Sequence, residues 1–313
     1  MNVCFIPSSI GLGHIKRSVL VSNYLAKFYK VTIVAEKKKI SKFKINKNIK
    51  IIDYKLNIKV DEFKKTYNQK WYLDVKKKIR NLKFNLFISD NLPEIVFLSK
   101  NSMIISNFFW HELFKMKNPL IKKTLLKIKK NKTVIFRNYI FNNLRFKTKI
   151  GFMKKRKKIT KKNSILFSFG TATFDKKNIL DELNKIVPFN KYKYIIDHDL
   201  FKNLKNKKNF IKASYKEHMF KKIEYAIIKP GFGIVQDCLE NNIKMIGFTK
   251  KMNSEFKLNA KRLEKYKLLK KVNSIDEGID YINSKKLKNY FNNRNVMWSG
   301  EKKIYKTIKN YFI

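Results

Sequence analysis

E-Y-A-I-I-K-P-G-F-G-I-V-Q-D-C-L-E-N-N, from Glu224 to Asn242, decides how this chain is read. Tyr225 to Ile228 is a short apolar run of the kind that forms a buried strand. Lys229, Pro230, Gly231 and Gly233 break it, and Ile234, Val235, Cys238 and Leu239 then recur at helical spacing. A strand, a glycine turn and a helix together hold anions well. The first turn of a helix carries N–H groups without intrahelical partners and the positive end of the dipole, and glycine lets a phosphate approach the backbone. Many α/β proteins turn on glycine for steric reasons alone, so the rest of the chain has to supply what a phosphate-bearing ligand needs.

Working outward, the same grammar appears twice. Val3 to Ile6 reads as a strand, and P-S-S-I-G-L-G-H-I-K-R (Pro7 to Arg17) as a turn opening a helix at His14. Val31 to Ala35 is a second strand, which makes a β-α-β start with Gly11 and Gly13 at the carboxyl end of the first strand. Lys37 to Asn48 reads as a basic loop, and Ile51 and Ile52 as a third strand. Asp61 to Leu82 reads as one long helix, with Phe63, Tyr67, Trp71, Val75 and Ile79 every four residues. Phe84 to Asp90 and Ser102 to Ser106 are strands. They leave Asp90 and the Trp110–His111–Glu112 group on the same rim as Gly11 to His14. A helix about Ile121 to Ile128 and a strand from Thr133 to Phe136 follow.

Gly151 to Asn163 is nearly all polar and basic and reads as a linker between residues 1–150 and 164–313. The second half restarts with S-I-L-F-S-F-G-T-A (Ser164 to Ala172), again a strand into a glycine turn. Strands at Lys193 to Ile196, Asn209 to Lys212 and Lys244 to Phe248, with helices over Glu255–Tyr266, Ile275–Asn283 and Gly300–Tyr311, complete it. The expected fold class is α/β: two doubly wound Rossmann-like domains facing a cleft, the last helix packing back on the first domain.

Composition narrows the options. The 313 residues suit two domains, and 44% hydrophobic content supports a core for each. Cys4 and Cys238 sit in apolar patterns with no C-x-x-C or Cys/His cluster, so reduced cysteines, no metal site and a cytosolic setting are expected. The formal charge is +50, but only seven of the 73 basic residues are arginine. Lysine is spread along the whole chain, a texture of compositional drift. Base readers lean on arginine, so nucleic acid is not an expected partner. An anionic membrane surface remains one, with the protein peripheral on the inner leaflet.

G-L-G-H lacks the third glycine of a dinucleotide fingerprint and puts His14 in the first turn of a helix. The positive helix end there favours the neutral imidazole that a general base needs. Capping of the loop is the bland alternative for His14, and helix capping the one for Asp90. Asp90 otherwise orients His14 or an acceptor hydroxyl, and Trp110 either packs or offers a ligand platform.

On these residues the chain resembles the GT-B glycosyltransferases that use UDP-sugars. S-S-I-G-L-G-H-I-K-R (Ser8 to Arg17) is similar to the start of the UDP-sugar hydrolase of pseudaminic acid synthesis, a relative of the peptidoglycan N-acetylglucosaminyltransferase. I-S-D-N-L-P (Ile88 to Pro93) and I-S-N-F-F-W (Ile105 to Trp110) resemble the glycosyltransferase-like domain of L-arabinose kinases. So do I-L-F-S-F-G-T (Ile165 to Thr171) and K-P-G-F-G-I-V-Q-D (Lys229 to Asp237). The resemblance implies a nucleotide-sugar donor, UDP-linked, with a glycan, lipid-linked or small acceptor and no cofactor or metal. It implies His14 and Asp90 as the catalytic pair. The substrate-binding residues would be Gly11, Gly13, Arg17, Gly170, Thr171, Lys229, Gly231, Phe232, Gly233, Asp237, Glu255 and Asn259. Asp237 stands one carbon short of the glutamate expected to reach the ribose, and only Asn259-Ala260 remain of a Q-x-x-N-A segment. The implied activity is sugar transfer in surface polysaccharide or glycoconjugate synthesis. UDP-sugar hydrolysis and a non-catalytic sugar-nucleotide-binding domain are the rivals.

Overall fold

The computed structural model describes the chain except residues 59, 62, 63, 65, 142–147, 154–161, 171–175, 187–190, 251, 252, 285, 286, 288, 289, 293–295 and 313, and the side chains of 60 and 67. It divides into two compact units, Met1–Lys154 with Met297–Ile313, and Lys155–Val296.

The first unit runs β1 (Asn2–Pro7), α1 (Gly11–Leu25), β2 (Lys30–Ala35), α2 (Lys37–Ile40), β3 (Lys50–Asp53), β4 (Val60–Asp61) and β5 (Thr66–Tyr67). It continues with α3 (Trp71–Lys78), β6 (Leu86–Asp90), a 3-10 turn over Pro93–Phe97, β7 (Ser102–Ile105), α4 (Trp110–Leu113), α5 (Pro119–Lys130), β8 (Val134–Asn138) and β9 (Thr148–Ile150). The second unit holds β10 (Ser164–Ser168), α6 (Lys176–Lys185), β11 (Lys193–Ile196), α7 (His198–Phe201), β12 (Phe210–Lys212), α8 (Glu217–Lys222) and β13 (Ile223–Ile228). Then come α9 (Phe232–Glu240), β14 (Lys244–Phe248), α10 (Ser254–Lys265), β15 (Leu269–Val272) and α11 (Ile275–Asn283), before α12 (Gly300–Phe312) returns to the first unit.

The large sheet of the first unit is ordered β3-β2-β1-β6-β7-β8-β9, and that of the second β12-β11-β10-β13-β14-β15. Every pairing in both is parallel. Parallel strands need helices on both faces, and their apolar runs follow from burial on both sides. In the first unit Val3, Phe5, Ile33, Ile88 and Phe136 face a layer that includes Ile15 and Val19 of α1 and Ile304 and Ile308 of α12. Cys4, Ile6, Val34 and Ile104 face the other layer, with Trp71, Val75 and Ile95. In the second unit one large cluster packs Phe167, Tyr194, Ile227 and Ile246 with Ile179, Leu183 and Ile279. Both cysteines are buried.

In each sheet the strand order reverses once, between β1 and β6 and between β10 and β13. These are the points where open α/β sheets leave a crevice at their carboxyl edge. In register, Pro7 pairs with Asp90 and Ser168 with Ile228. The four loops that matter most therefore leave neighbouring strand ends.

Two expectations of the sequence are corrected. Asp61 to Leu82 is not one helix: Val60–Asp61 and Thr66–Tyr67 pair as an antiparallel hairpin, and the helix begins at Trp71. Local polar side chains explain the break. Asp61 Oδ1 accepts from the Lys64 amide at 3.0 Å, and Asn68 Oδ1 from the Lys70 amide at 2.9 Å. Such bonds offer the backbone an alternative to the helix. Phe63 lies outside the described residues, whereas Trp71, Val75 and Ile79 are buried as expected. The basic stretch after Lys37 also contains a turn of helix, α2, which buries Ile40.

Gly151, Phe152 and Met153 belong to the first unit's packing. The Phe152 amide donates to the Met297 carbonyl at 2.8 Å, and the Gly300 amide to the Phe152 carbonyl at 3.0 Å. A Cβ on Gly151 would strike the Met297 backbone, and one on Gly300 would sit 2.5 Å from the Gly151 carbonyl oxygen. Glycine at both positions lets the two chain segments touch, which docks α12 beside α1. Phe28 and Tyr305 stack there with centroids 4.2 Å apart. Among the described residues no helix is long and apolar enough to cross a membrane.

Candidate active site

In the first unit the chain leaves β1 at Pro7, and the Ser8 amide is tied to the Asp90 carbonyl at 3.0 Å. Gly11, at a φ of +69°, opens α1, and Gly13 lies in its first turn. His14 and Arg17 are three residues apart, hence on one face of α1. Both reach the side chain of Asp90 at the end of β6. His14 Nδ1 lies 2.7 Å from Asp90 Oδ1; Arg17 Nε donates to Oδ2 at 2.6 Å and Nη2 to Oδ1 at 2.5 Å. Asp90 is wholly buried and Arg17 nearly so, while His14 keeps 16% of its side chain exposed. Burial alone would raise the carboxyl's pKa. The charges and hydrogen bonds of Arg17, then His14, outweigh it and hold Asp90 below the usual carboxylate range. An ionised carboxylate can only accept, so the hydrogen-bond network assigns a ring proton to His14 Nδ1; in the neutral ring Nε2 then keeps its lone pair.

The structure brings together His14, Asp90 and, beside them, Arg17. Its guanidinium is turned inward onto Asp90. Trp110 packs with Phe108 and Phe114 in a small aromatic cluster that Ile10, just ahead of α1, adjoins. Its Nε1 is buried with no hydrogen-bond partner. Glu112 pairs with the buried Arg137 at 2.9 Å, and burial lowers the pKa of the adjacent His111.

In the second unit β10 runs into Phe169 and Gly170, the latter at a φ of +70°. Thr171 lies outside the described residues. The amides of Phe169 and Gly170 donate to Asp197 Oδ2 at 2.6 and 2.8 Å. This first glycine turn therefore already holds an anion, supplied by the end of β11. Asp197 is buried, and its Oδ1 has no hydrogen-bond partner among the described residues. Burial raises its pKa, against the pull of the two amides, Ser168 and Lys229. The sequence reading missed Asp197, for an aspartate in Y-I-I-D-H-D carries no motif; only its place at a strand end in a doubly wound sheet was a signal.

Lys229, Gly231, Phe232 and Gly233 form the second turn. The Lys229 amide donates to the Ser168 carbonyl at 2.9 Å, and the Gly231 amide folds back on the Lys229 carbonyl at 2.7 Å. Gly231 is the N-cap of α9, with extended backbone. Lys229 is mostly buried, its Nζ 4.4 Å from the centroid of the Phe256 ring and 3.7 Å from where a Cβ on Gly170 would stand. Burial lowers the ammonium's pKa; Glu255 and Asp197 work the other way. Asn259 Nδ2 donates to the Pro230 carbonyl at 3.0 Å, so this expected binding residue braces the turn. Asp237 is half-buried further along α9.

No family model and no curated protein matches the sequence. Solved structures do match over their whole length. The chain is similar to Phytolacca americana UGT2, complexed with UDP-2-fluoro-glucose and pterostilbene, at 10% identity and a TM-score of 0.67, covering 100% of both chains. It is similar to the glycotransferase of kitacinnamycin at 10% identity and a TM-score of 0.64, covering 99% of both. Acinetobacter baumannii MurG matches at 12% and 0.63, again covering 99% of both. The fold is that of the GT-B glycosyltransferases, as the sequence motifs implied.

Proposed function

We propose that this protein is a metal-independent glycosyltransferase that moves a sugar from a UDP-linked donor to a hydroxyl of a glycan, lipid-linked or small acceptor. The observation that carries the reading is the His14–Asp90 pair at the switch point of the first sheet. An imidazole fixed at Nδ1 by a buried carboxylate presents Nε2 as a base. His14 Nε2 takes the acceptor's hydroxyl proton as the oxygen attacks the anomeric carbon. The bond from that carbon to the diphosphate breaks, and its electron pair leaves with UDP. Lys229 and the N-terminus of α9 stabilise the departing charge, which is the work a metal ion would otherwise do. UDP-2-fluoro-glucose in the UGT2 structure favours a uridine donor by analogy of fold.

The same pair would activate water equally well, and the start of α1 resembles a hydrolase, so UDP-sugar hydrolysis is the second reading. Titration with UDP, ADP and NAD, followed by turnover with and without acceptors, tests both. Saturable binding of UDP alone, with UDP release only when an acceptor is present, is the expected result. Release without acceptor would establish the hydrolase. A His14→Ala variant that binds UDP and turns over normally would remove His14 as the base. The +50 charge fits work at an anionic membrane surface in glycoconjugate synthesis.

A further inference from the structure

We propose that Arg17 is the positioning residue of the base, so that the working unit is His14–Asp90–Arg17. The proposal rests on the reading of His14 as the base. Asp90 is wholly buried, and a buried carboxylate with only a neutral imidazole beside it would take up a proton and become a donor. Protonated Asp90 could then donate to His14 Nδ1 and send the ring proton to Nε2, the tautomer that cannot act as a base. Arg17 prevents this in two ways. Its permanent charge keeps Asp90 ionised in the interior. Its fork, with Nε on Oδ2 and Nη2 on Oδ1, also fixes the plane of the carboxylate, and with it the direction in which Oδ1 meets His14 Nδ1.

The arrangement is built on α1 and β6. His14 and Arg17 are neighbours on α1, and Asp90 is the last residue of β6, paired in register with Pro7. One helix thus supplies the base and the guanidinium that holds the base's partner. Arg17 is nearly buried, and its Nε and Nη2 are both directed at Asp90.

Nitrogen-15 spectra of the imidazoles read the tautomer directly, in a chain with only 4 histidines to assign. In the wild type, His14 is expected to carry its proton on Nδ1. In Arg17→Met the fixed tautomer is expected to be lost and kcat to fall on the order of 10²-fold, as for a misplaced catalytic group, with KM for the donor unchanged. Arg17→Lys keeps a positive charge beside Asp90 and so protects the fold, but it cannot reproduce the fork. Its kcat is expected to lie between the two. Wild-type tautomer and turnover in Arg17→Lys and Arg17→Met would overturn the proposal, as would a wild-type His14 protonated at Nε2. Should the wild type transfer no sugar at all, the function proposed above fails, and the tautomer comparison still decides the role of Arg17.

Discussion

Asp90 and Asp197 are both buried aspartates at strand ends, and their surroundings push them in opposite directions. Asp90 has a guanidinium on both oxygens and stays ionised; Asp197 has two amides on one oxygen and none on the other, and burial prevails. The raised value of Asp197 means that the folded protein binds this proton more tightly than the unfolded chain. Its contribution to stability is therefore fully present below the unfolded pKa and is lost as pH rises through the folded one. Asp197→Asn keeps an acceptor for the two amides and removes the charge. At neutral pH it is expected to raise the melting temperature of the second unit by roughly 2–4 °C, the shift about 1 kcal/mol gives in a domain of this size. The gain should vanish in acid, where the wild-type side chain is protonated in both states. Calorimetry across pH checks this, and a melting temperature lowered at neutral pH would show that the charge is needed for the turn.

At the scale of elements, sequence periodicity was a good guide where strands are continuous apolar runs. Val3 to Ile6, Tyr225 to Ile228 and Lys244 to Phe248 all became central strands of parallel sheets. It misled between Asp61 and Leu82, where residues spaced by four fell on a hairpin and a helix in turn, because Asp61 and Asn68 bond their own neighbourhood. It missed β9 and β15, whose T-K-I and L-K-K-V bury only part of their side chains and carry lysines that mimic a surface loop. The candidate site was half legible. His14 and Asp90 sit at ends of recognisable strands, whereas the fork of Arg17 and the anion supplied by Asp197 are tertiary facts that no local pattern encodes. Docking of α12 gives a test at this scale. Replacing a helical glycine by alanine normally favours the helix by about 1 kcal/mol. Gly300→Ala is expected to do the reverse, destabilising the first unit by about 1–3 kcal/mol, because the added Cβ meets the Gly151 carbonyl and Met153 Sδ. Denaturant melts of the variant check the sign.

For the molecule as a whole, the fold was the most legible property and the charge the least informative. The resemblance carried, in order along the chain, by Ser8–Arg17, Ile88–Pro93, Ile105–Trp110, Ile165–Thr171 and Lys229–Asp237 implied the GT-B architecture, a fold that structures at 10–12% identity share. The 73 basic residues do not mark a site, being distributed over both units. They do give the protein a long-range field. Vesicles of anionic lipid are expected to retain it at about 0.1 M salt and release it at about 1 M, as the screening length falls from roughly 10 to 3 Å. Neutral vesicles should not retain it at either salt. Retention that survives high salt would point instead to apolar insertion, for which Leu125 and Leu126, exposed on α5 among lysines, are the residues to replace.

The return of α12 to the first unit bears on how the protein is made. Domains generally fold as units, the N-terminal one first, while the ribosome is still adding residues. Here the first unit cannot close its core when its own strands emerge, because Ile304 and Ile308 belong to that core and are synthesised after the second unit. The residues of the second unit end at Val296. The half that is begun first is therefore completed only after the other has been made: the unit that carries His14 waits for its closing helix.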